Sequence, residues 1–253
     1  MERLGWWLCA GLAMLGGGSD DEAGGDGAID VDRPHALLGS VRESRIVYPL
    51  AVGEWQAVGE HLFEDEEDGV CVRYVHGPDR DRWIDVYFYP AGALTHAQFS
   101  DAVRMEVDLI RRAHLQAGHA GFDMGRARSF SFRGDDSGAI DGEAFDLSYA
   151  VDGVHYSSAM TLLLDRLYFV KARYSIEQAR ASRRETREQL QTFVAQLQPR
   201  VSISNACDGS AAWSSQPGAD LAADMREIRL EYQAVDAIPA RIPAARAAEL
   251  TAG

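Results

Sequence analysis

The dipeptide Asp152-Gly153, set between two runs of apolar, aromatic and β-branched residues, constrains the fold of this chain more than any other feature. Two residues that tolerate positive φ, flanked by strand formers, make a two-residue hairpin turn whose twist matches the strands it joins. The expected strands are 143–151 and 154–164. Their pairing is antiparallel, because a parallel crossover needs a dozen residues or more.

Further strands follow from the same signals. Aromatic and β-branched runs at 55–63, 70–76 and 83–89 are separated by Asp68-Gly69 and by the turn from Gly77-Pro78 to Asp81. The third run is apolar on both faces, with Ile84, Val86 and Phe88 opposite Trp83, Tyr87 and Tyr89, so it is expected in the middle of a sheet. Two more strands are read at 127–132 and 167–174.

Thr95 and Gln98 form a capping box that opens a helix running to about residue 117. Phe99, Ala102, Val103, Val107, Ile110 and Ala113 recur at helical spacing on one side, opposite Ser100, Asp101, Arg104, Asp108, Arg111 and Arg112. Ser175 and Gln178 read as a second capping box, opening a helix that ends before Pro199 and buries Ala179, Thr186, Leu190, Phe193 and Leu197. The fold class is therefore α+β: an antiparallel β-sheet of about six to seven strands packed with two amphipathic helices, over residues 41–202.

The flanks differ in composition. Arg3 followed by the apolar run 4–15 and the small residues 16–19 reads as a signal peptide over 1–19, which places the mature protein in the periplasm or outside the cell. The run is too short for a bilayer-spanning helix and no other stretch is apolar enough. Trp6, Trp7 and Leu8 precede Cys9, where a lipidation signal needs small residues. Residues 20–40 contain Asp20, Asp21, Glu22, Asp26, Asp30 and Asp32 with no basic residue before Arg33, the composition of a disordered acidic linker. Residues 203–253 read as an extension with one helix at 220–235, where Leu221, Met225, Ile228, Tyr232 and Val235 share a face, and a mobile tail. Ile228, Leu230 and Tyr232 also alternate as in a strand. Removing Cys9 with the signal leaves Cys71 and Cys207, an even pair that permits one disulfide in an oxidising compartment.

Several chemistries are excluded or disfavoured. A formal charge of −14 makes a phosphate backbone a poor partner, so no nucleic acid is expected. Neither a nucleophile-elbow pattern nor a phosphate-binding glycine loop is present, so no catalytic residue or cofactor is assigned. Glu64, Glu66, Asp68 and Gly69 resemble the start of a calcium loop, but Val75 stands where its bidentate glutamate belongs. Asp135, Asp136 and Asp141 read as a solvated acidic loop. No two histidines are spaced to share a helix face; His114 and His119 are five apart, which rotates them away from each other on a helix, so no metal site is expected.

Two features stand out. Glu106 falls inside the apolar arc of the first helix, where a carboxylate needs a partner such as His114 or an arginine. Arg180, Arg183, Arg184 and Arg187 form a stripe along the last helix, fed by a strand carrying Lys171 and Arg173, and reverse the sign of an otherwise acidic chain. They are the candidate binding residues, either for an envelope protein or anionic ligand or as a solvated face balanced by Glu177, Glu185 and Glu188.

With Gly53-Glu54-Trp55, the 141–144 strand entry Asp-Gly-Glu-Ala, the 167–171 strand and the closing helix near Phe193 to Leu197, the order of elements resembles the Mog1/PsbP-like α/β fold of small exported bacterial domains. That resemblance implies an accessory or binding role, mostly without catalysis, and transfers no site residue. The functional expectation is an exported, non-catalytic binding or accessory protein. The alternatives are a small-molecule or lipid carrier using a sheet-helix gap lined by Trp83, Tyr87 and Phe88, and a hydrolase-type enzyme without a recognisable motif. Oligomeric state is not legible.

Overall fold

A computed structural model describes residues 41–64, 68–92, 94–134, 138–207 and 221–231. The expected signal peptide, acidic linker, Asp135-Asp136 loop, much of the calcium-like loop and the tail beyond Glu231 lie outside them.

In chain order the strands are β1 (Val41–Pro49), β2 (Ala51–Val52), β3 (Trp55–Leu62), β4 (Val70–His76), β5 (Asp79–Pro90), then helix α1 (His96–Gln116), β6 (Ala120–Met124), β7 (Arg128–Gly134), β8 (Gly138–Val151), β9 (Val154–Asp165), β10 (Tyr168–Glu177), helix α2 (Arg183–Leu197), β11 (Ser202–Cys207) and β12 (Met225–Glu231). The main sheet has nine strands in the order β2-β3-β4-β5-β10-β9-β8-β6, with β7 also on β8. This exceeds the six or seven expected, and every pairing is antiparallel. Two meanders, β2 to β5 and β8 to β10, meet where β5 pairs with β10, so β5 is interior as its two apolar faces require.

The hairpin signal is realised at Val151–Val154, with Asp152 at φ 51° and Gly153 at 79°. Gly69 holds a second turn at φ 68°, and a Cβ there would lie 2.0 Å from the Phe88 carbonyl oxygen. Only glycine satisfies both the positive φ and the backbone approach.

Alternation along the strands sorts the main sheet into two apolar faces. One carries Tyr89, Phe145, Leu147, Tyr149, Met160, Leu162 and Phe169 and receives Phe99, Ala102, Val103 and Ile110 of α1. The opposite face carries Tyr74, Ile84, Val86, Phe88, Leu163, Val170 and Ala172 and receives Leu190, Phe193, Val194 and Leu197 of α2. Phe193 is fully buried, its ring 5.1 Å from Tyr74 and 5.9 Å from Trp55. Tyr87 and Phe88 point to different faces, so no single gap is lined by both.

Three sequence readings are corrected. The capping box at Ser175-Gln178 does not start a helix: β10 continues through Glu177 in register with β9, buries Ile176, and leaves Ala179 exposed in a turn. The helix begins after Ser182, whose hydroxyl accepts from the Glu185 amide while the Glu185 carboxylate accepts from the Ser182 amide at 2.8 Å. The helix expected at 220–235 is a strand where it is described, since 225–231 pairs with β1 over seven positions. The compact body also extends past residue 202. The order β11-β1-β12 makes a second sheet, which sets Ile46, Tyr48, Ile203, Ile228 and Leu230 on the same face of the main sheet as α2.

Cys71 is buried in β4, opposite Tyr87 of β5, whereas Cys207 closes β11 in the smaller sheet with its side chain outside the described residues. No disulfide is present among the described residues.

Candidate anion-binding site

The six basic candidates do not form one stripe. Lys171 and Arg173 lie on the same face of β10 as Phe169, toward α1. Arg180 sits in the turn before α2 and pairs with Asp79, while Arg183, Arg184 and Arg187 belong to α2 on the opposite face.

On the α1 face the charges are interior. Lys171 donates to Glu106 Oε1 at 2.5 Å, both side chains buried, and its ammonium stands 5.1 Å from the Tyr87 ring and 5.6 Å from that of Tyr89. The partner of Glu106 is thus a lysine rather than the expected histidine or arginine. Two residues along the strands, Arg73 donates to Asp85 through Nε at 2.6 Å and Nη2 at 2.9 Å, and Arg173 lies across from Asp85 in register. Such pairs persist in a low-dielectric interior because each charge keeps a partner.

His114 is buried on α1 and meets His119 after all. The helix ends at Gln116 and the chain turns through Ala117 and Gly118, bringing the two Nδ1 atoms to 2.8 Å. Phe122 and Tyr149 pack on the His114 ring. Burial, then Arg173, then His119 push His114 down to about 3; burial and Arg173 also lower His119. Among the described residues, no group of three or more His, Cys, Asp or Glu side chains is placed to hold a metal.

A surface cluster forms at the start of α2. Asp146 lies on β8 between the inward-facing Phe145 and Leu147, so alternation turns it to the α2 side, where its side chain is 9% exposed. Arg183 Nη2 donates to Asp146 Oδ1 at 2.7 Å and to its backbone carbonyl at 3.1 Å. Arg187 donates to Oδ2, Arg128 Nη1 stands 3.8 Å from the same oxygen, and Arg183 also donates to Asp123. Burial pushes the Asp146 carboxyl up, but the hydrogen bonds from Arg187 and Arg183 outweigh it and hold the group below its ordinary value. Gly125 is needed beside them, since a Cβ would lie 2.4 Å from Asp146 Oδ1 and 3.2 Å from Arg183 Nη2.

Outside this clamp the exposed side chains are Arg126 and Arg128, at the link into β7, and Arg184, which donates to Glu188 at 2.7 Å. Five arginines (126, 128, 183, 184 and 187) therefore gather around four carboxylates (Asp123, Asp146, Glu185 and Glu188). Arg183 and Arg184 also occupy the first turn of α2, where the helix macrodipole disfavours cations, and the one acid of that turn, Glu185, is engaged in the cap. An arrangement that concentrates guanidinium groups at a helix N-terminus can hold carboxylate or phosphate oxygens through paired N–H donors.

The sequence located half of this cluster. Arg126 and Arg128 were not singled out, and Asp146 carried a readable signal, a charge among the inward-alternating residues of a strand. Its facing partners depend on a contact 37 and 41 positions away along the chain.

No family model and no curated protein matches the chain. Among solved structures it is similar to cyanobacterial PsbP (CyanoP) from Synechocystis sp. PCC 6803, at 13% identity and a TM-score of 0.42, over 70% of this chain and 96% of that one. It is similar to LpqN, involved in cell envelope biogenesis of Mycobacterium tuberculosis, at 9% identity and a TM-score of 0.36, over 64% of this chain and 84% of that one. A Pseudomonas aeruginosa protein of unknown function is similar at 12% identity and a TM-score of 0.28, over 50% of this chain and 74% of that one. Among the described residues no helix is long and apolar enough to cross a membrane.

Proposed function

We propose that this chain is an exported, non-catalytic binding module that presents the arginine cluster at the start of α2 to a carboxylate-bearing partner in the cell envelope. The observation that carries the reading is the surplus of guanidinium groups at one rim of a chain whose formal charge is −14. Asp146 orients Arg183 and Arg187 from within, while Arg126, Arg128 and Arg184 face outward. Export is supported by the N-terminal apolar run behind Arg3.

The test is affinity capture of the tagged protein from crosslinked envelope fractions, comparing wild type with R126Q/R128Q/R184Q. These three side chains are exposed, so their replacement changes stability by within about 0.5 kcal/mol. A partner recovered with wild type and lost with the variant supports the reading. Equal recovery of every partner by both proteins removes the cluster from the binding surface, and recovery of the protein only from the cytoplasm overturns export.

A further inference from the structure

We infer that a second copy of this chain adds to the main sheet along β7, the two β7 strands pairing antiparallel about a two-fold axis at Ser131. The contact uses the backbone edge of β7 and does not rest on the binding role proposed above.

A strand at the edge of a sheet turns every second N–H and C=O outward, a template for another strand unless a bulge, a charge or a covering segment spoils it. Most outer strands of this fold carry such a device. β3 is covered at one end by β2, is irregular between Ala57 and Gly59, and ties Glu60 to Arg226 at 2.9 Å. β6 is irregular between Ala120 and Asp123, and Asp123 pairs with Arg183. In the smaller sheet the pairing of β11 is irregular beside Glu43, and β12 carries Glu227 and Arg229 in mid-strand. β7 differs from all of these. It pairs with β8 through seven consecutive positions without a bulge, and with no other strand among the described residues. Its middle, Ser129-Phe130-Ser131-Phe132, holds no charge, and Ser129 and Ser131 are exposed.

The edge is also complementary to itself. Outward backbone groups and side-chain faces both repeat every two residues, so two copies pair only in registers that match like with like. The register about Ser131 uses the whole strand: Arg128 falls opposite Gly134 of the second copy, and Phe130 opposite Phe132. Phe130 and Phe132 already meet edge to face at 5.3 Å on the α2 side of the sheet, half-buried against its core. Phe130 lies close over Gly142, where a Cβ would stand 2.7 Å from its Cζ. A two-fold axis normal to the sheet sets the second pair of rings alongside on the same side, so four rings close over the junction as cross-strand aromatic pairs.

No acidic residue occurs from Arg126 to Gly134, so a chain of formal charge −14 meets its copy where the two repel least. The two Arg128 residues stand about 20 Å apart along the paired strands, beyond the roughly 8 Å screening length at physiological salt. An edge this short lies at the small end of specific interfaces, below about 1,200 Å², so the dimer is reversible, with a Kd on the order of 10 µM.

The test is sedimentation equilibrium of the purified full chain over about 1 to 200 µM, a range that brackets this Kd. Wild type is compared with S131K, with S131E and with an equimolar mixture of the two. Ser131 is exposed in the single chain, so neither change disturbs its fold, whereas across the axis each variant sets like charges directly opposite one another. Wild type is expected to pass from monomer to dimer over the range, each variant alone to associate roughly five-fold more weakly, and the mixture to recover association. Wild type that stays monomeric overturns the inference. Association that S131K and S131E leave unaltered overturns it too, since the contact then lies elsewhere, as does a mixture no stronger than either variant alone.

Discussion

Replacing His114 by Phe is expected to remove a specific acid sensitivity from the fold. The ring is 4% exposed, packs against Phe122 at 4.8 Å and Tyr149 at 4.4 Å, and shares a hydrogen bond with His119. Burial and the Arg173 charge hold its pKa at about 3, against 6.5 in the unfolded chain. The folded state therefore binds fewer protons than the unfolded state between these two values. Stability falls as pH drops through 6.5 and the loss is complete near 3. Between pH 7 and pH 5 the unfolded histidine goes from mostly neutral to almost wholly protonated while the folded one stays neutral, a differential of about 2 kcal/mol. That figure is insensitive to the folded value as long as it lies below about 4.

The assay is urea denaturation followed by tryptophan fluorescence at pH 7 and pH 5, for wild type and H114F. Carboxylates that titrate in the same window do so in both proteins and cancel in the difference. Wild type is expected to lose about 2 kcal/mol more than H114F over this interval, whatever the variant's stability at pH 7. Equal losses in the two proteins would refute the account, because they would mean that His114 takes up its proton in the folded state.

Three other outcomes follow from named contacts. K171M strands the buried Glu106 carboxylate and is expected to cost about 3–5 kcal/mol, most of it recovered in K171M/E106L, as measured by chemical denaturation in a double-mutant cycle. G125A forces a Cβ against Asp146 Oδ1 and is expected to cost about 1–3 kcal/mol by thermal denaturation, with a smaller penalty in the D146A background where the obstructing atom is gone. I228A empties a site that is 5% exposed beneath the smaller sheet and is expected to cost about 2–5 kcal/mol, whereas a residue in a detached extension would register almost no change.

Local signals reached as far as local contacts decide. Asp152-Gly153 and the Thr95-Gln98 box act within a few residues, and both stand in the structure as read. The second box was misplaced because Ser175-Gln178 and Ser182-Glu185 offer the same local pattern. What separates them is the pairing of Ser175 to Glu177 with β9, which no window around Ser175 contains. The segment 225–231 fits helix and strand periods alike, and β1, some 180 residues earlier, selects the strand by pairing with it. Glu106 was legible as a charge in an apolar arc, but the identity of its partner was not, since Lys171 reaches it across the sheet-helix interface. The approach of His119 to His114 was missed for a simpler reason: helical spacing was applied past the end of the helix.

The division of the arginines into clamped and outward-facing sets decides how the binding role can be tested at all. Arg183 and Arg187 are 28% and 18% exposed and hold the buried Asp146, so removing them leaves a carboxylate without its donors next to β8. The resulting penalty belongs to folding, and a variant lacking the whole α2 set would lose a partner whether or not its surface binds one. Arg126, Arg128 and Arg184 carry little of that structural burden: the first two are exposed at the link into β7, and the third makes only a solvated i to i+4 pair. Changes confined to these three separate a loss of binding from a loss of fold, and an unaltered urea midpoint in R126Q/R128Q/R184Q is the condition under which a lost partner reports on the surface itself.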